Sequence, residues 1–489
     1  MFTDIFAHID GNRERYLTEL FPLLKQPSIS ATGQGIQACA ELLARMVQEV
    51  GLMAQILPTG GHPVVFGDTL SAEAPFTLLI YGHYDVQPPE PLEKWDSPPF
   101  APEIRHGRIY GRGSADNKGQ LFTHLKAVEA VREVLGKIPI RVKLLVEGEE
   151  EIGSVHLSTF VQQHRDLLSA DLALGVDGNI HPTGRPEIAL GMKGLLYVEL
   201  IAHGPRVDLH CGKDPLVVNP AWRLTWALST LKDRDSRILI DGFYDRVVPP
   251  SRDDLAWLDL VPVEMETLLQ TYGVDSFLGG VAGTEALRRL VFEPTCSIDG
   301  LGSGYTGPGM KTIIPTTATA KLSLRLVPDQ TSGEIFTKLR AHLDRRGFHD
   351  IELRKLGTFE PSRSTVDRSL LEQIVRTVAA VYARDPLLFP LFSTGGSGPD
   401  FVFTRDLKVP SVWIPCAQFK DKNAHAPNEN LTVEGFVNGI KTTAALILTL
   451  ASQRSENFEP PVPTAISLVR QGRQRHNLLI LQATNAKIL

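Results

Sequence analysis

Hydrophobic and polar residues follow two different periods along this chain. Apolar residues recur at helical spacing in four segments, 8–25, 36–50, 118–135 and 367–382. Short, continuous apolar runs lie between them, at 76–81, 141–146 and 172–176. Fully apolar strands that alternate with helices are typical of a parallel sheet covered by helices on both faces. The pattern therefore predicts an α/β domain built on a mainly parallel sheet.

The pattern changes near Gly191. Four segments in the middle of the chain are spaced as an α+β unit, with strands at 195–203 and 318–327 and helices at 218–232 and 333–346. After about residue 364 the first pattern returns. The sequence therefore predicts a discontinuous domain of residues 1–192 and 364–452, a unit of residues 193–363 inserted in it, and a C-terminal tail of residues 453–489.

Composition narrows the classes of function. The 489 residues carry a formal net charge of −6, with 43% hydrophobic and 22% charged residues, as in ordinary globular proteins. No basic stretch suggests a nucleic-acid partner, and no run of about 18 apolar residues suggests a membrane span. The four cysteines form no CxxC pair and the N-terminus lacks an apolar signal segment. These features predict a cytoplasmic protein that acts on a small molecule.

The first candidate site follows the apolar run 76–81. It reads Gly82-His83-Tyr84-Asp85. In an extended chain His83 and Asp85 point to the same side, so Asp85 can orient the His83 imidazole from behind, as carboxylates do for metal-bound histidines. A histidine that is simply hydrogen-bonded in a loop is the alternative interpretation.

The second candidate is Asp116, at the centre of the glycine-rich segment 111–119. Glycines there allow tight turns and a close approach of the backbone to a ligand. Asp116 also comes just before the predicted helix 118–135, so its carboxylate could simply be a helix cap and have no further role. The segment by itself leaves both roles open.

Three further candidates complete the set. The acidic run 147–151 directly follows the apolar run 141–146, and Asp177 follows 172–176. Like charges at the edge of a buried sheet are unfavourable unless cations neutralise them, although acidic runs are more often solvated loops. His425 lies in the turn Asn423-Ala424-His425-Ala426-Pro427 before the last predicted helix.

Taken together, these segments give five candidate metal ligands: His83, Asp116, Glu151, Asp177 and His425. Imidazole and carboxylate ligands without thiolate suit zinc, and also manganese or cobalt. Three carboxylates and two histidines can hold two divalent ions about 3.5–4 Å apart when one carboxylate bridges them.

In order and spacing, the five segments closely resemble the metallopeptidase family that includes carnosine dipeptidases, carboxypeptidase G, aminoacylases and succinyl-diaminopimelate desuccinylase. The resemblance extends over roughly residues 10–450 and is greatest to the dipeptidase branch. It implies an aminopeptidase-like α/β catalytic domain with a mixed, mainly parallel sheet, an inserted α+β domain that acts as lid and dimerisation domain, and a homodimer.

The same resemblance implies a role for each candidate. His83, Asp116 and Asp177 bind one ion, and Asp116 bridges to a second ion held by Glu151 and His425. Asp85 orients His83, and Glu150 is the general base that takes a proton from the water activated by the metals.

The dipeptidase branch implies a second group of residues, outside the metal ligands. His210, in Asp208-Leu209-His210-Cys211-Gly212, matches a histidine that reaches into the partner subunit's active site, where it can stabilise the oxyanion. The family usually has serine where Cys211 stands. Thr312, Arg325 and Ser397 match substrate contacts, and Arg325 can bind a terminal carboxylate, although a structural salt bridge is its alternative role.

The sequence thus predicts a two-metal hydrolase that cleaves the amide bond of dipeptides. Removal of the acyl group from an N-acyl amino acid, on the same core with a different pocket, is the alternative reaction. A binding protein that has lost its metals is disfavoured, because all five ligands and Glu150 are present.

Overall fold

The computed structural model describes residues 2–71, 73–418 and 421–452. Its largest element is an eight-stranded sheet. In spatial order its strands are Met53–Leu57, Val64–Asp68, Arg141–Glu147, Thr77–His83, Leu172–Ile180, Ser411–Gln418, Glu187–Ala189 and Leu387–Phe389. The third to sixth of these strands are mutually parallel, and an antiparallel neighbour flanks them on each side. The prediction of a mixed, mainly parallel sheet is therefore confirmed.

Side chains of the central strands alternate between two hydrophobic cores, one on each face of the sheet. In the strand Thr77–His83, Leu78 and Ile80 enter the first core, whereas Leu79 and Tyr81 enter the second. Because both faces are covered, both sets of alternate positions are apolar. This explains why the sequence shows continuous apolar runs there and not a simple alternation.

Helices of different length cover the two faces. The first core is covered by six helices: Phe2–Gly11, Arg13–Lys25, Ile36–Glu49, Lys118–Leu135, Arg368–Tyr382 and Val433–Ala451. The second core is covered by shorter ones: Leu157–Gln163, Arg165–Leu168, Arg252–Leu258, Gly283–Phe292 and Val402–Leu407. The single helix predicted at 8–25 was wrong. The chain forms two helices that meet at Asn12, whose side chain bonds back to the carbonyl oxygen of His8.

A second, antiparallel sheet has a core of its own. In spatial order its strands are Thr295–Ser303, Thr317–Leu326, Gly194–His203 and Glu352–Phe359. The helices Pro220–Ser229 and Ser332–Arg345 cover one face of this sheet. Alternate residues of Gly194–His203, among them Leu196 and Val198, point into this core. This is the α+β arrangement that the middle of the sequence predicts.

The remaining short elements join these parts of the fold. They are the strands Glu103–Arg105, Arg108–Tyr110, Gly191–Met192, Leu209–His210, Ile313–Ile314, Ser362–Arg363 and Asn430–Thr432, and the helix Met265–Tyr272. The domain boundaries after residues 192 and 363 stay predictions, and the predicted tail 453–489 lies outside the described residues. Within the described part of the chain, no helix is both long and apolar enough to cross a bilayer.

One buried histidine of the first core predicts how stability depends on pH. His124 is fully buried, its Nδ1 lies 2.8 Å from the hydroxyl of Thr443, and burial lowers its pKa to about 3. The unfolded chain, with a histidine pKa of about 6.5, binds a proton first as the pH falls. Stability is therefore lost from about pH 6.5 downwards to about pH 3.

His124→Asn should remove this pH dependence, because an amide can still bond Thr443 but does not titrate. Between pH 7 and pH 5 the wild-type free energy of unfolding should fall by about 2 kcal/mol more than that of the variant. Denaturant titrations of both proteins at the two pH values measure the difference. An equal fall in both proteins would contradict the prediction.

Candidate metal centre

Candidate metal ligands lie together at one edge of the main sheet. His83 ends the strand Thr77–His83, Asp177 lies in Leu172–Ile180, and the turn Glu150–Ile152 follows Arg141–Glu147. Because these three strands are parallel neighbours, their carboxyl ends meet at the same edge, where ligands bind in open α/β sheets. Parallel topology thus brings together residues that are far apart in sequence.

Asp116 lies between the two histidines. Its Oδ1 is 3.1 Å from His83 Nε2, and its Oδ2 is 3.0 Å from His425 Nε2. His425 Nε2 is also 3.1 Å from Glu151 Oε2. Two atoms that bind one ion at about 2.1 Å lie about 3–3.4 Å apart, so these spacings suit a carboxylate shared by two ions. Ligand atoms of Asp116, Glu151 and His425 form one group within 4.8 Å of one another.

Burial of charge also points to a cation. Burial first, and then the charge of Asp116, raise the pKa of Asp177 to about 7. Burial, with the charges of Glu151, Asp116 and Asp177, holds the pKa of Glu150 well above its usual value, although His83 opposes this. Buried like charges of this kind need a compensating positive charge. The buried His83 Nε2 lies 3.1 Å from Asp116 Oδ1 but is not aligned for a hydrogen bond with it, as expected of two atoms that would share a metal.

Whereas the raised pKa values of Asp177 and Glu150 favour their neutral forms, the pKa of His425 is raised in favour of its charged form. Hydrogen bonds with Asp116 and Glu151 raise the pKa of His425 to about 11. A proton on this imidazole therefore takes the place that a divalent ion would fill between the same carboxylates. The donor set is nitrogen and oxygen only, which fits zinc, manganese or cobalt.

Asp85 joins the histidine loop to the glutamate loop. Its Oδ1 lies 3.3 Å from His83 Nδ1, in agreement with the orienting role expected of it. The backbone N–H groups of Glu150 and Glu151 donate to the same carboxylate at 3.2 and 3.0 Å. Asp85 thus holds both a metal ligand and the expected general base, and the sequence suggested only the first of these contacts.

The structure adds three residues that sequence reasoning missed. Gln87 donates from Nε2 to Glu151 Oε2 at 2.9 Å, and Asn117 donates to the carbonyl oxygen of Val176 in the strand that carries Asp177. Glu429, buried beside the Asp116 loop, accepts hydrogen bonds from it. Glu429 stands four residues after His425, but nothing in the sequence shows that its partners are backbone groups of a distant loop.

Two of the expected substrate contacts lie beside the centre. Arg325 donates from Nη1 to Ser397 Oγ at 2.6 Å. The next residue, Gly398, packs against Met192 near the expected base: a Cβ there would lie only 2.8 Å from the Met192 sulfur, and 4.0 Å from Glu150 Oε1. Gly398 therefore allows the loop with Ser397 to pack against Met192 beside Glu150, a requirement that the sequence did not reveal.

The other two expected contacts lie elsewhere. His210 and Thr312 are exposed: His210 ends one strand of a short antiparallel pair, Thr312 directly precedes the other strand, and Cys211 N donates to Thr312 O at 3.1 Å. His210 Nδ1 accepts from Gly212 N at 3.1 Å. The hydrogen bonds and ion pairs of the described residues join neither side chain to the metal centre. The structure thus brings nine of the eleven expected residues to the sheet edge or beside it, and leaves these two apart.

Proteins of known structure or function resemble this chain over most of its length. The chain resembles the solved metallo-carboxypeptidase Sso-CP2 of Sulfolobus solfataricus, with 37% identity, a TM-score of 0.84, and 89% of this chain and 99% of that one covered. It resembles the solved dipeptidase Dug1p of Saccharomyces cerevisiae, with 26% identity, a TM-score of 0.81, and 93% and 99% covered. The Beta-Ala-His dipeptidase of Rattus norvegicus is 26% identical, with 93% of this chain and 97% of that protein covered.

A family profile covers the same region. Residues 79–449, from the strand before His83 to the last helix, match the profile of peptidase family M20/M25/M40. The match spans all five candidate metal ligands and the expected base. We conclude that the chain belongs to peptidase family M20/M25/M40.

Proposed function

We propose that this protein hydrolyses the peptide bond of dipeptides with two bound divalent ions. The observation that carries the proposal is Asp116, which lies with one oxygen near each of two histidines, close to a second carboxyl group, Glu150, whose pKa is raised by burial and by the neighbouring carboxylates. The expected substrate contacts Arg325 and Ser397 lie against the same edge.

The chemistry divides between the ions and the side chains. His83, Asp116 and Asp177 would hold one ion, and Glu151 and His425 would hold the other with Asp116 shared. Bound divalent ions lower the pKa of water and polarise a carbonyl group. Glu150 accepts the proton of the attacking water and delivers it to the nitrogen of the leaving amine as the C–N bond breaks. Asp85 keeps both His83 and Glu150 in place throughout.

Arg325 would bind the C-terminal carboxylate of the substrate. A guanidinium can bind a carboxylate through two parallel hydrogen bonds, and among the described residues only the Ser397 hydroxyl accepts a hydrogen bond from Nη1 of Arg325. Arg325→Ala should raise KM for a dipeptide by roughly 10- to 100-fold, since a charge-assisted hydrogen bond contributes about 1.5–3 kcal/mol. Wild-type enzyme should prefer a dipeptide to its C-terminal amide, and the variant should lose that preference. An unchanged preference would remove Arg325 from this role.

The proposed active form is a homodimer in which His210 enters the partner's site. Its exposure supports this, since no hydrogen bond or ion pair of the described residues joins the His210 side chain to the metal centre of its own chain. The helix Pro220–Ser229, close after His210 in the chain, presents Trp222 and Trp226 to solvent at 56% and 53% exposure, with their rings stacked 5.8 Å apart. Exposed aromatic pairs are typical of the centre of a protein interface.

A second candidate is the removal of the C-terminal residue from longer peptides. It is favoured by the 37% identity to a structure described as a metallo-carboxypeptidase, compared with 26% for the two dipeptidases. Deacylation of N-acyl amino acids remains the third reaction that this arrangement could perform. All three reactions use the same base and the same carboxylate contact. Their substrates differ in the acyl group, which lies on the N-terminal side of the bond that is cleaved.

A matched set of substrates tests these reactions. The zinc- or manganese-loaded protein is given a dipeptide, an N-blocked tripeptide and an N-acetyl amino acid that share one C-terminal residue. We expect cleavage of the dipeptide, and its loss after treatment with a chelator. Cleavage of the blocked tripeptide alone would establish the carboxypeptidase, and cleavage of the acetylated amino acid alone would establish the deacylase.

The metal and the location belong to this proposal as well. Zinc is proposed as the native ion, with manganese or cobalt as alternatives, because imidazole and carboxylate ligands suit all three. A cytoplasmic location is proposed because Cys39, Cys211 and Cys296 are free thiols in the structure. Metal analysis of the protein purified without added ions would identify the native metal.

A further inference from the structure

We propose that Glu429 is the positioning residue that holds the bridging carboxylate and the second histidine in register, and so sets the affinity for the second ion. The inference rests on the proposed two-metal function. Glu429 itself would bind no metal, because both oxygens of its carboxylate already accept hydrogen bonds from the protein.

The first observation is the set of contacts that Glu429 makes. Its carboxylate is fully buried. Oε1 accepts from the backbone N–H groups of Ala115 and Asp116, both at 2.9 Å. Oε2 accepts from Arg112 Nη1 at 2.8 Å and from Gly113 N at 3.0 Å. One side chain thus binds four donors in the loop that carries the bridging carboxylate.

The second observation is where Glu429 stands in the chain. It comes four residues after His425, whose imidazole is half-exposed and whose own φ is +63°. Asp421, Asn423 and Asn428 in the same loop also have φ between +52° and +63°, in the left-handed region that Asp and Asn enter more readily than other residues with a side chain. Glu429 joins this loop directly to the Asp116 loop.

The third observation concerns charge. Arg112 is fully buried, lies over the Trp95 ring at 5.3 Å, and donates from Nη2 to the Pro88 carbonyl at 3.1 Å. Its guanidinium balances the charge of Glu429. Backbone N–H groups occupy the remaining acceptor positions of the Glu429 carboxylate. Glu429 can therefore fix the geometry of the loop without itself becoming a metal ligand. The same N–H groups would otherwise be buried without a partner.

These contacts predict a specific effect on metal binding. Glu429→Gln keeps the size of the side chain but directs an amide at the donors of Gly113 and Arg112. Loss of residues that orient metal ligands typically costs roughly 10- to 100-fold in metal affinity. We expect that loss for the ion held by Glu151 and His425, and a smaller loss for the ion held by His83 and Asp177.

The matched control is Asp68→Asn, at the opposite edge of the same sheet. Asp68 is also a buried carboxylate, and it accepts two bonds from Arg141 at 3.0 and 2.7 Å and one from Leu70 N at 2.8 Å. This variant should reduce stability in a similar way without affecting either ion. Stability of the metal-free proteins is measured alongside.

Stepwise titration of the metal-free proteins with Co²⁺ provides the test, by calorimetry and by the visible absorption of the bound ion. We expect wild-type protein and Asp68→Asn to bind two ions with the same spectra, and Glu429→Gln to show a weakened second step with an altered spectrum. Two normal steps in Glu429→Gln, or equal weakening in both variants, would overturn the inference alone. Fewer than two ions in wild-type protein would overturn the proposed function, and this inference with it.

A measurement on wild-type protein tests the inference even if the variant does not fold. Hydrogen exchange of the peptide that covers residues 111–117 is followed in metal-free protein and after Co²⁺ is added. If Glu429 holds the loop, the amides of Gly113, Ala115 and Asp116 are protected before any metal binds. Rapid exchange without metal, with protection only after Co²⁺ is added, would overturn the inference.

Discussion

Glu150→Gln is expected to lower kcat for a dipeptide by about 10²- to 10⁴-fold, the range typical of a lost general base. The amide has the same shape as the carboxylate and keeps the backbone bond from residue 150 to Asp85, but it cannot take a proton from water. Metal content and KM should change little, because the ligands Glu151 and Asp116 are untouched. Steady-state kinetics and metal analysis of the same preparation measure both quantities.

The neighbouring residue provides the control for this experiment. Glu149 is also a buried carboxylate, but it accepts from the backbone N–H groups of His62 at 3.0 Å and His156 at 3.2 Å and lies outside the metal centre. Glu149→Gln should therefore keep kcat within a few-fold of wild type. Full turnover by Glu150→Gln, or an equal loss in the two variants, would exclude Glu150 as the base.

His210→Ala should lower kcat by about 10²- to 10³-fold, as expected when a donor to the oxyanion is lost. The proposed location of this histidine in the partner's site makes a further result testable. Each subunit of Glu150→Gln has an intact His210, and each subunit of His210→Ala has an intact Glu150. In a mixed dimer, the site with Glu150 receives the histidine of its partner and becomes complete.

Mixing the two inactive variants should therefore restore activity. Random exchange of subunits makes half of the dimers mixed, each with one complete site, so about a quarter of wild-type activity is expected. Light scattering on the mixture shows whether dimers are present. If His210 acted within its own chain, no combination would contain a complete site, and the mixture would stay inactive.

The candidate metal ligands could be selected from sequence because each one lies in a local motif. His83 comes two residues after the apolar run 76–81, and Glu151 ends the acidic run that follows the apolar run 141–146; such runs are recognisable from period alone. Their meeting at one edge follows from parallel topology, which the alternation of strands and helices predicts. The same local reasoning failed at Asn12, where a side-chain bond to the backbone interrupts a helical pattern that continues on both sides.

The sequence by itself determined the α/β class, because periodicity is a local property of the chain, and its motifs, through their resemblance to a known family, supplied the set of candidate metal ligands. Only the tertiary structure decided what holds that set in place. Glu429 binds a loop more than 300 residues away, and Gly398 allows a close approach to Met192 beside Glu150. It also left His210 exposed, without a hydrogen bond or ion pair among the described residues that joins it to the centre of its own chain. Contacts of this kind depend on distances between segments far apart in sequence, and no period or composition records them.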